Sequence, residues 1–248
     1  MTNRKLVVSN YCTDLEWLKT TYDYGFSSQN TVIYSRTPDE YGEDFSHLGE
    51  YIKSPNVGEN IYDIFRFIIE NYESLPDMSI FIKGNLFSRK KDQTHNHPKP
   101  GEDYEIDEFY YTTREKFAEA LQTDKFLPID RYHPTSLVGE NETFAQPVHY
   151  ANFYYNNDVE TRYFGDFHEI SDAFFVDPPK RDVIQFAPGG NYAVPKEIIL
   201  KYSKSFYQKL QEIVSYVPNP PYVRTSGESY LCERFLYYIW TENLIEKQ

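Results

Sequence analysis

Cysteine is scarce in this chain of 248 residues, which carries only Cys12 and Cys232. Two thiols cannot build a disulfide framework, so a small stapled scaffold is excluded and a reducing compartment is expected. Long apolar runs are missing as well: no stretch approaches the roughly 18 residues that mark a membrane-spanning helix. After Met1 to Lys5 only Leu6-Val7-Val8 precedes the return of polar residues, which is not the apolar centre of a signal peptide. A cytoplasmic protein with no membrane span is therefore expected. Positive charge is in deficit, with 25 Lys and Arg against 38 Asp and Glu and a net charge of −13. That balance repels nucleic-acid phosphates and anionic lipid surfaces, so nucleic acid is not the expected partner. A local basic run, Arg89-Lys90-Lys91, is still able to meet a phosphate. Neither an internal repeat nor a Pro/Gly/Ser-rich linker divides the chain, so a single domain over 1–248 is expected.

Aromatic residues, by contrast, are abundant: 24 Tyr, 18 Phe and 2 Trp make up 18% of the chain. Flat sugar faces stack on such rings and Tyr hydroxyls meet sugar oxygens, but an aromatic core would use the same residues. The periodicity alternates between strand and helix. Lys5 to Ser9 reads as a strand, Thr13-Asp-Leu-Glu16 as a capping box opening a helix to about Tyr22, and Thr31 to Tyr34 as a second strand. Ile61, Ile64, Phe65, Ile68 and Tyr72 share one face of a helix from Glu59, with Asn56 and Glu59 spaced as a further capping box. Ser79 to Ile82, apolar on both faces, predicts a parallel strand covered by helices on either side. Its carboxyl end, Lys83-Gly84-Asn85, should face the ligand crevice of an α/β sheet.

Farther on, 88–108 reads as a charged loop and Thr112 to Glu115 as a capping box. Val148 to Tyr155 is β-prone, and Gly165 to His168 has turn character. Helical segments follow over Lys196–Tyr202 and Lys204–Val214. Thr225 to Glu228 has the spacing of a capping box for a last helix that buries Leu231, Phe235, Tyr238 and Ile239. Between Val183–Phe186 and Tyr192-Ala-Val194 stands Gly189-Gly190, a pair that suits either a hairpin turn or a close backbone approach to a ligand.

Asn56-Val-Gly-Glu-Asn60, Met78 to Gly84, Pro188-Gly-Gly-Asn-Tyr-Ala-Val194 and Glu233-Arg234 together resemble a family catalogued as a domain of unknown function, common in fungi and scattered in bacteria and large viruses. Its pattern runs Asn-x-Gly-Arg-Glu, Phe-x-x-Gly, Pro-Gly-Gly-x-Phe-Ala-Val and Glu-Arg, and the resemblance extends from about Val7 to Trp240. The chain departs from it where Glu59 follows Gly58 without the intervening Arg, and where Lys83 stands in place of the usual Gln. The family looks like a remote relative of GT-A type glycosyltransferases, which implies an α/β fold with a central, mostly parallel sheet flanked by helices. It also implies transfer of a sugar from a UDP- or GDP-linked donor to a glycan acceptor.

Such a transfer needs a nucleotide pocket, a means of stabilising the departing diphosphate and, for inversion, a carboxylate base. By resemblance, Asn10, Tyr11 and Asp14 hold the nucleotide, with Tyr11 stacking and Asp14 accepting from a hydroxyl. Asn56, Gly58 and Glu59 belong to the same pocket. A helix amino end attracts phosphate and Glu59 repels it, so Glu59 is cast as a hydroxyl acceptor. Lys83 neutralises the diphosphate, Glu233 is the acceptor base with Glu228 in reserve, and Gly189, Gly190, Asn191 and Arg234 meet the sugars. The Asp-x-Asp metal pair of GT-A enzymes has no counterpart after the third strand. Glu105-Ile-Asp107, Asp166-Phe-His168 and His95-x-His97 are substitutes, so dependence on Mn²⁺ or Mg²⁺ is open. Two other readings fit the residues. A glycoside hydrolase would pair Asp166 with Glu233 as its two catalytic carboxyl groups, and a non-catalytic carbohydrate-binding or assembly protein would need no base.

Overall fold

The computed structural model describes residues 3–41, 44–87, 110–129, 131–132, 143–148, 162–216 and 227–247. Its centre is a six-stranded sheet. β1 (Arg4–Asn10) lies between β2 (Thr31–Ser35) and β4 (Met78–Lys83), parallel to both, with Val7 opposite Val32 on one side and Phe81 on the other. β3 (Glu50–Lys53) extends the parallel part beyond β2. Beyond β4 lie β10 (Tyr192–Pro195), antiparallel to its neighbours, and β6 (Leu127–Pro128), giving the order β3-β2-β1-β4-β10-β6. The chain leaves β1 toward β2, and α1 (Glu59–Asn71) then carries it back to β4 on the opposite side of β1. That reversal opens a crevice at the carboxyl ends of β1 and β4, where ligands bind in sheets of this kind.

Helices cover both faces, which is why the central strands are apolar throughout. On one face Val7, Val32, Tyr34 and Phe81 meet Ile61, Ile64, Phe65 and Ile68 of α1, backed by α5 (Lys204–Val214) and α6 (Gly227–Thr241). On the other face Leu6, Val8, Ile33, Ile80 and Ile82 pack with Leu15, Leu18 and Phe26 and with Phe117, Ala120 and Leu121 of α2 (Arg114–Gln122). Among the described residues, many aromatic side chains lie in this interior. Trp240 stacks on Phe81 with ring centres 6.1 Å apart and meets Tyr192 edge-on at 5.2 Å, while Tyr202 stacks on Phe206 at 4.6 Å. Two buried hydroxyls donate to backbone carbonyls, Tyr202 to Ile239 at 2.9 Å and Tyr207 to Ile199 at 2.8 Å, as buried Tyr hydroxyls usually do.

Helix starts differ from the expected boxes in instructive ways. The first helical segment is a 3-10 helix over Glu16–Tyr24 with Leu15 at its N-cap and no side-chain cap; Asp14 Oδ1 accepts from Glu16 N at 2.9 Å, while Thr13 turns back to Tyr11. α1 starts from Gly58 in the left-handed region (φ 63°) with no side-chain cap, so Asn56 and Glu59 form no box. Thr113 rather than Thr112 caps α2, accepting from Lys116 N at 3.1 Å. Glu228 in the first turn of α6 is buried and accepts from the backbone amides of Arg162 and Tyr163 at 2.5 and 2.7 Å; Thr225 lies outside the described residues. The turn-like Gly165 to His168 opens α3 (Phe167–Phe174), with Asp166 as its cap.

The segments around Gly189-Gly190 are not a hairpin. β9 (Val183–Phe186) pairs with β8 (Phe144–Pro147) in a separate two-stranded ribbon, whereas β10 joins the central sheet. The two glycines carry the chain from one sheet to the other, and α4 (Lys196–Ile199), shorter than the expected Lys196–Tyr202, follows β10. A further short ribbon pairs β5 (Tyr110–Tyr111) with β7 (Arg131–Tyr132). Arg89, Lys90, Lys91, His95, His97, Glu105 and Asp107, and the stretch after Val148 to Tyr155, lie outside the described residues.

Candidate functional site

The glycine turn is the hub of the crevice. Gly189 and Gly190 have φ of 83° and 60°, a region that side-chain-bearing residues enter at a cost. A Cβ on Gly190 would stand 3.0 Å from both Asn60 Nδ2 and Ile61 Cδ1. Three elements grip the turn. From α1, Asn60 donates its amide to the Gly189 carbonyl; from α6, Glu233 Oε1 accepts from Gly189 N at 2.5 Å. From within the turn, Asn191 Oδ1 accepts from Lys83 N of β4 at 2.8 Å, and its amide donates to the Pro188 carbonyl at 3.1 Å.

These contacts bring Glu59, Asn60, Lys83, Ser229, Tyr230 and Glu233 around one cavity of about 100 Å³. Three expected site residues, Glu59, Lys83 and Glu233, therefore converge from α1, β4 and α6, segments that lie far apart in the chain. Gly189, Gly190 and Asn191 are buried and support the wall instead of lining it; the Asn191 amide is engaged inside the fold. Arg234 is also a support. Its guanidinium lies over the Phe186 ring at 4.5 Å and donates to Gln146 Oε1 at 3.1 Å and to the Tyr230 carbonyl at 3.0 Å, tying α6 to the β8–β9 ribbon. Asp166 does not line the cavity: as the α3 cap it accepts from His168 N at 2.7 Å and Glu169 N at 2.9 Å.

Of the expected nucleotide residues, Asn10 ends β1 and Tyr11 and Asp14 follow it. Asn10 is fully buried, its carbonyl accepting from Arg36 N at 2.9 Å and its amide donating to the Thr13 carbonyl at 3.2 Å. Tyr11 and Asn56 are half-buried and Asp14 is exposed. Two of the three non-glycine residues with positive φ among the described residues, Cys12 (50°) and Glu59 (53°), sit at this crevice. Backbone strain of this kind gathers at functional sites. Cys232 is buried in the core, which pushes its thiol well above the ordinary range.

Two residues that sequence reasoning passed over complete the charge pattern. Arg36, at the carboxyl end of β2, is 7% exposed, with Nη1 3.5 Å from Glu59 Oε2 and Nε 3.4 Å from Asp63 Oδ2. Glu59 thus has the basic partner that the sequence around Gly58 lacks. Asp63 is fully buried, hydrogen-bonded to Ser54, and burial pushes its carboxyl up to about 6, outweighing the pull of Arg36. The available signals were Asp63 falling between the core positions Ile61 and Ile64, and a charged residue directly at a parallel strand's carboxyl end. Among the described residues no three His, Cys, Asp or Glu side chains group as metal ligands. The carboxylates nearest the α1 amino end face a guanidinium, a donor set unsuited to a divalent ion.

The family described as "Protein of unknown function (DUF3431)" matches residues 6–247. The chain belongs to this family. No curated protein and no solved structure matches the chain. Membership covers almost the full length, so the glycine turn, Lys83 and Glu233 all fall inside the family's domain. No helix among the described residues is long and apolar enough to cross a membrane.

Proposed function

We propose that this DUF3431 protein is a glycosyltransferase that moves a sugar from a UDP- or GDP-linked donor to a glycan acceptor. The observation that carries the reading is the convergence of Lys83 and Glu233 on one cavity at the switch point of the sheet. The parallel run β3-β2-β1-β4 followed by an antiparallel strand supports a GT-A-like arrangement of that sheet; the step from fold to activity is analogy. The cavity is smaller than the few hundred Å³ of a whole small-molecule site. It would take the reacting end of the donor, with the nucleotide lying toward Asn10, Tyr11 and Asp14 at the end of β1. Glu233 is the base. One of its oxygens is fixed by Gly189 N, which orients the carboxylate, and the proton of an acceptor hydroxyl passes to it as the glycosidic bond forms and the diphosphate leaves. Lys83 stands where negative charge develops on the leaving group, and no step runs through a metal ion.

The pairing of Asp166 with Glu233 that the hydrolase reading uses is not supported, because Asp166 serves as a helix cap and does not line the cavity. A carbohydrate-binding protein without catalysis is favoured by one observation, the use of Glu233 as a structural acceptor for Gly189 N. The deciding experiment is a thermal-shift screen against UDP, GDP, CMP and their sugars, with and without Mn²⁺, since a ligand that binds only the folded chain raises its stability. A shift with one nucleotide, followed by transfer that Glu233→Gln abolishes, is expected. No shift with any nucleotide would overturn the transferase reading, and glycan binding unaffected by Glu233→Gln would favour the binding protein.

A further inference from the structure

The amino end of α1 starts without a capping side chain. A helix presents unpaired amides and a partial positive charge at its start, which makes that end receptive to anions. In α1, Gly58 offers no side chain to cap them. An independent observation points the same way: Arg36 is 7% exposed, its guanidinium lies against the first two turns of α1, and its Nε is buried with no hydrogen-bond partner. Its two carboxylate neighbours stand at 3.4 and 3.5 Å, outside the 2.7–2.9 Å of a charge-assisted bond. A buried guanidinium held this loosely has donor capacity that its present neighbours do not use. Glu59, the carboxylate on its outer side, is 43% exposed at the side chain, so it has a path into solvent that Asp63 lacks. Glu59 also lines the candidate cavity.

We propose that Arg36 and the amino end of α1 form a phosphate seat in which the Glu59 carboxylate acts as an internal stand-in for the ligand. A phosphate-bearing ligand enters by displacing Glu59 outward and takes the guanidinium and the first-turn amides. Asp63 stays behind as the buried counter-charge that keeps Arg36 in place. Specificity follows from the exchange: a ligand must bring enough negative charge to replace a carboxylate, so a diphosphate is favoured over an uncharged sugar. This rests on the nucleotide-sugar reading for its biological ligand and assigns the diphosphate to Arg36 as well as Lys83, but the seat itself is testable without any sugar.

The test uses the whole chain and inorganic pyrophosphate as probe, with calorimetric titration of the wild type, Glu59→Gln and Arg36→Gln, each checked for native circular dichroism. Removing the competing carboxylate is expected to tighten pyrophosphate binding about tenfold, and Arg36→Gln to weaken it by at least as much. If Arg36→Gln does not fold, Arg36→Lys, which keeps the charge but loses the planar fork, is expected to weaken binding severalfold. Pyrophosphate affinity unchanged in Glu59→Gln, or no pyrophosphate binding by any variant, would overturn the seat. Nucleotide binding indifferent to both substitutions would overturn it while leaving the transferase reading intact. Pyrophosphate binding governed by Arg36 without any nucleotide binding would uphold the seat and sink the transferase reading.

Discussion

Asp63 makes the stability of this protein depend on pH in a direction opposite to that of an ordinary surface carboxylate. Its carboxyl ordinarily titrates at 3.8, and burial raises it to about 6 in the fold despite Arg36, Ser54, Ser9 and Arg66 around it. The folded chain therefore binds a proton that the unfolded chain has released, and stability falls as pH rises through that interval. The contribution of the neutral carboxyl is fully present below 3.8 and lost once the pH passes about 6. The interval corresponds to about 3 kcal/mol in all, of which about 2 kcal/mol or slightly more falls between pH 4 and pH 7.5. The perturbation is Asp63→Asn, which keeps the shape and an oxygen acceptor but cannot ionise. Urea denaturation of both proteins at half-unit steps of pH gives two stability profiles. Other titrating groups contribute equally to both, and the loss of a partner for Arg36 is a constant offset because Arg stays charged throughout. The difference should thus swing by about 2 kcal/mol in favour of the variant from pH 4 to pH 7.5. Parallel profiles would refute the reasoning: Asp63 would then be ionised across the range, with Arg36 fully compensating its burial.

Gly190→Ala should cost about 2 to 4 kcal/mol, the sum of a left-handed backbone and the displacement of Asn60 and Ile61; an unchanged denaturation midpoint would show that the turn relaxes. Glu228→Ala removes the acceptor for two backbone amides and should destabilise by about 2 to 4 kcal/mol, whereas Glu228→Gln keeps an acceptor and should lose less than half of that. Equal losses in thermal unfolding would mean that the charge, not the hydrogen bonds, matters at this position. Glu233→Gln retains an oxygen for Gly189 N, so stability should stay within about 1 kcal/mol while turnover of the donor falls by about 10²-fold or more. Retained turnover would remove Glu233 from the chemistry.

Much of the architecture could be read from the chain, because its central strands and α1 obey simple patterning. A strand apolar on both faces must be covered twice, and Ile80, Phe81 and Ile82 of β4 are divided between the two cores as that rule requires. The face of α1 from Ile61 to Ile68 follows from helical spacing alone. Helix starts were less legible: Asn56 and Thr13 have capping chemistry, yet tertiary contacts decide whether the backbone takes a cap geometry. The turn at Gly189-Gly190 was ambiguous for a different reason. A hairpin and a crossover between two sheets place the same residues between the same β-prone runs, and only the pairing of β9 with β8 separates them. The site shows the same limit. Glu59, Lys83 and Glu233 were identifiable as candidates, but the pairing of Arg36 with Glu59 joins a strand end to a helix start across 23 positions, and no local pattern encodes it.

The hydrogen bonds of Gly189 explain why a turn remote from any charged ligand can still control the site. One residue uses its amide on Glu233 and its carbonyl on Asn60, so the first turn of α1 and the middle of α6 are fixed against each other through a single glycine. Glu59 precedes Asn60, and Glu233 itself faces the cavity, so the two carboxylates of the site are set by the same clamp. A side chain at either glycine would shift the helices that carry them, and a looser clamp would let Glu233 depart from the geometry a base requires. The glycines therefore act on the chemistry through position, without touching the ligand, which accounts for a turn that is buried and yet belongs to the functional region.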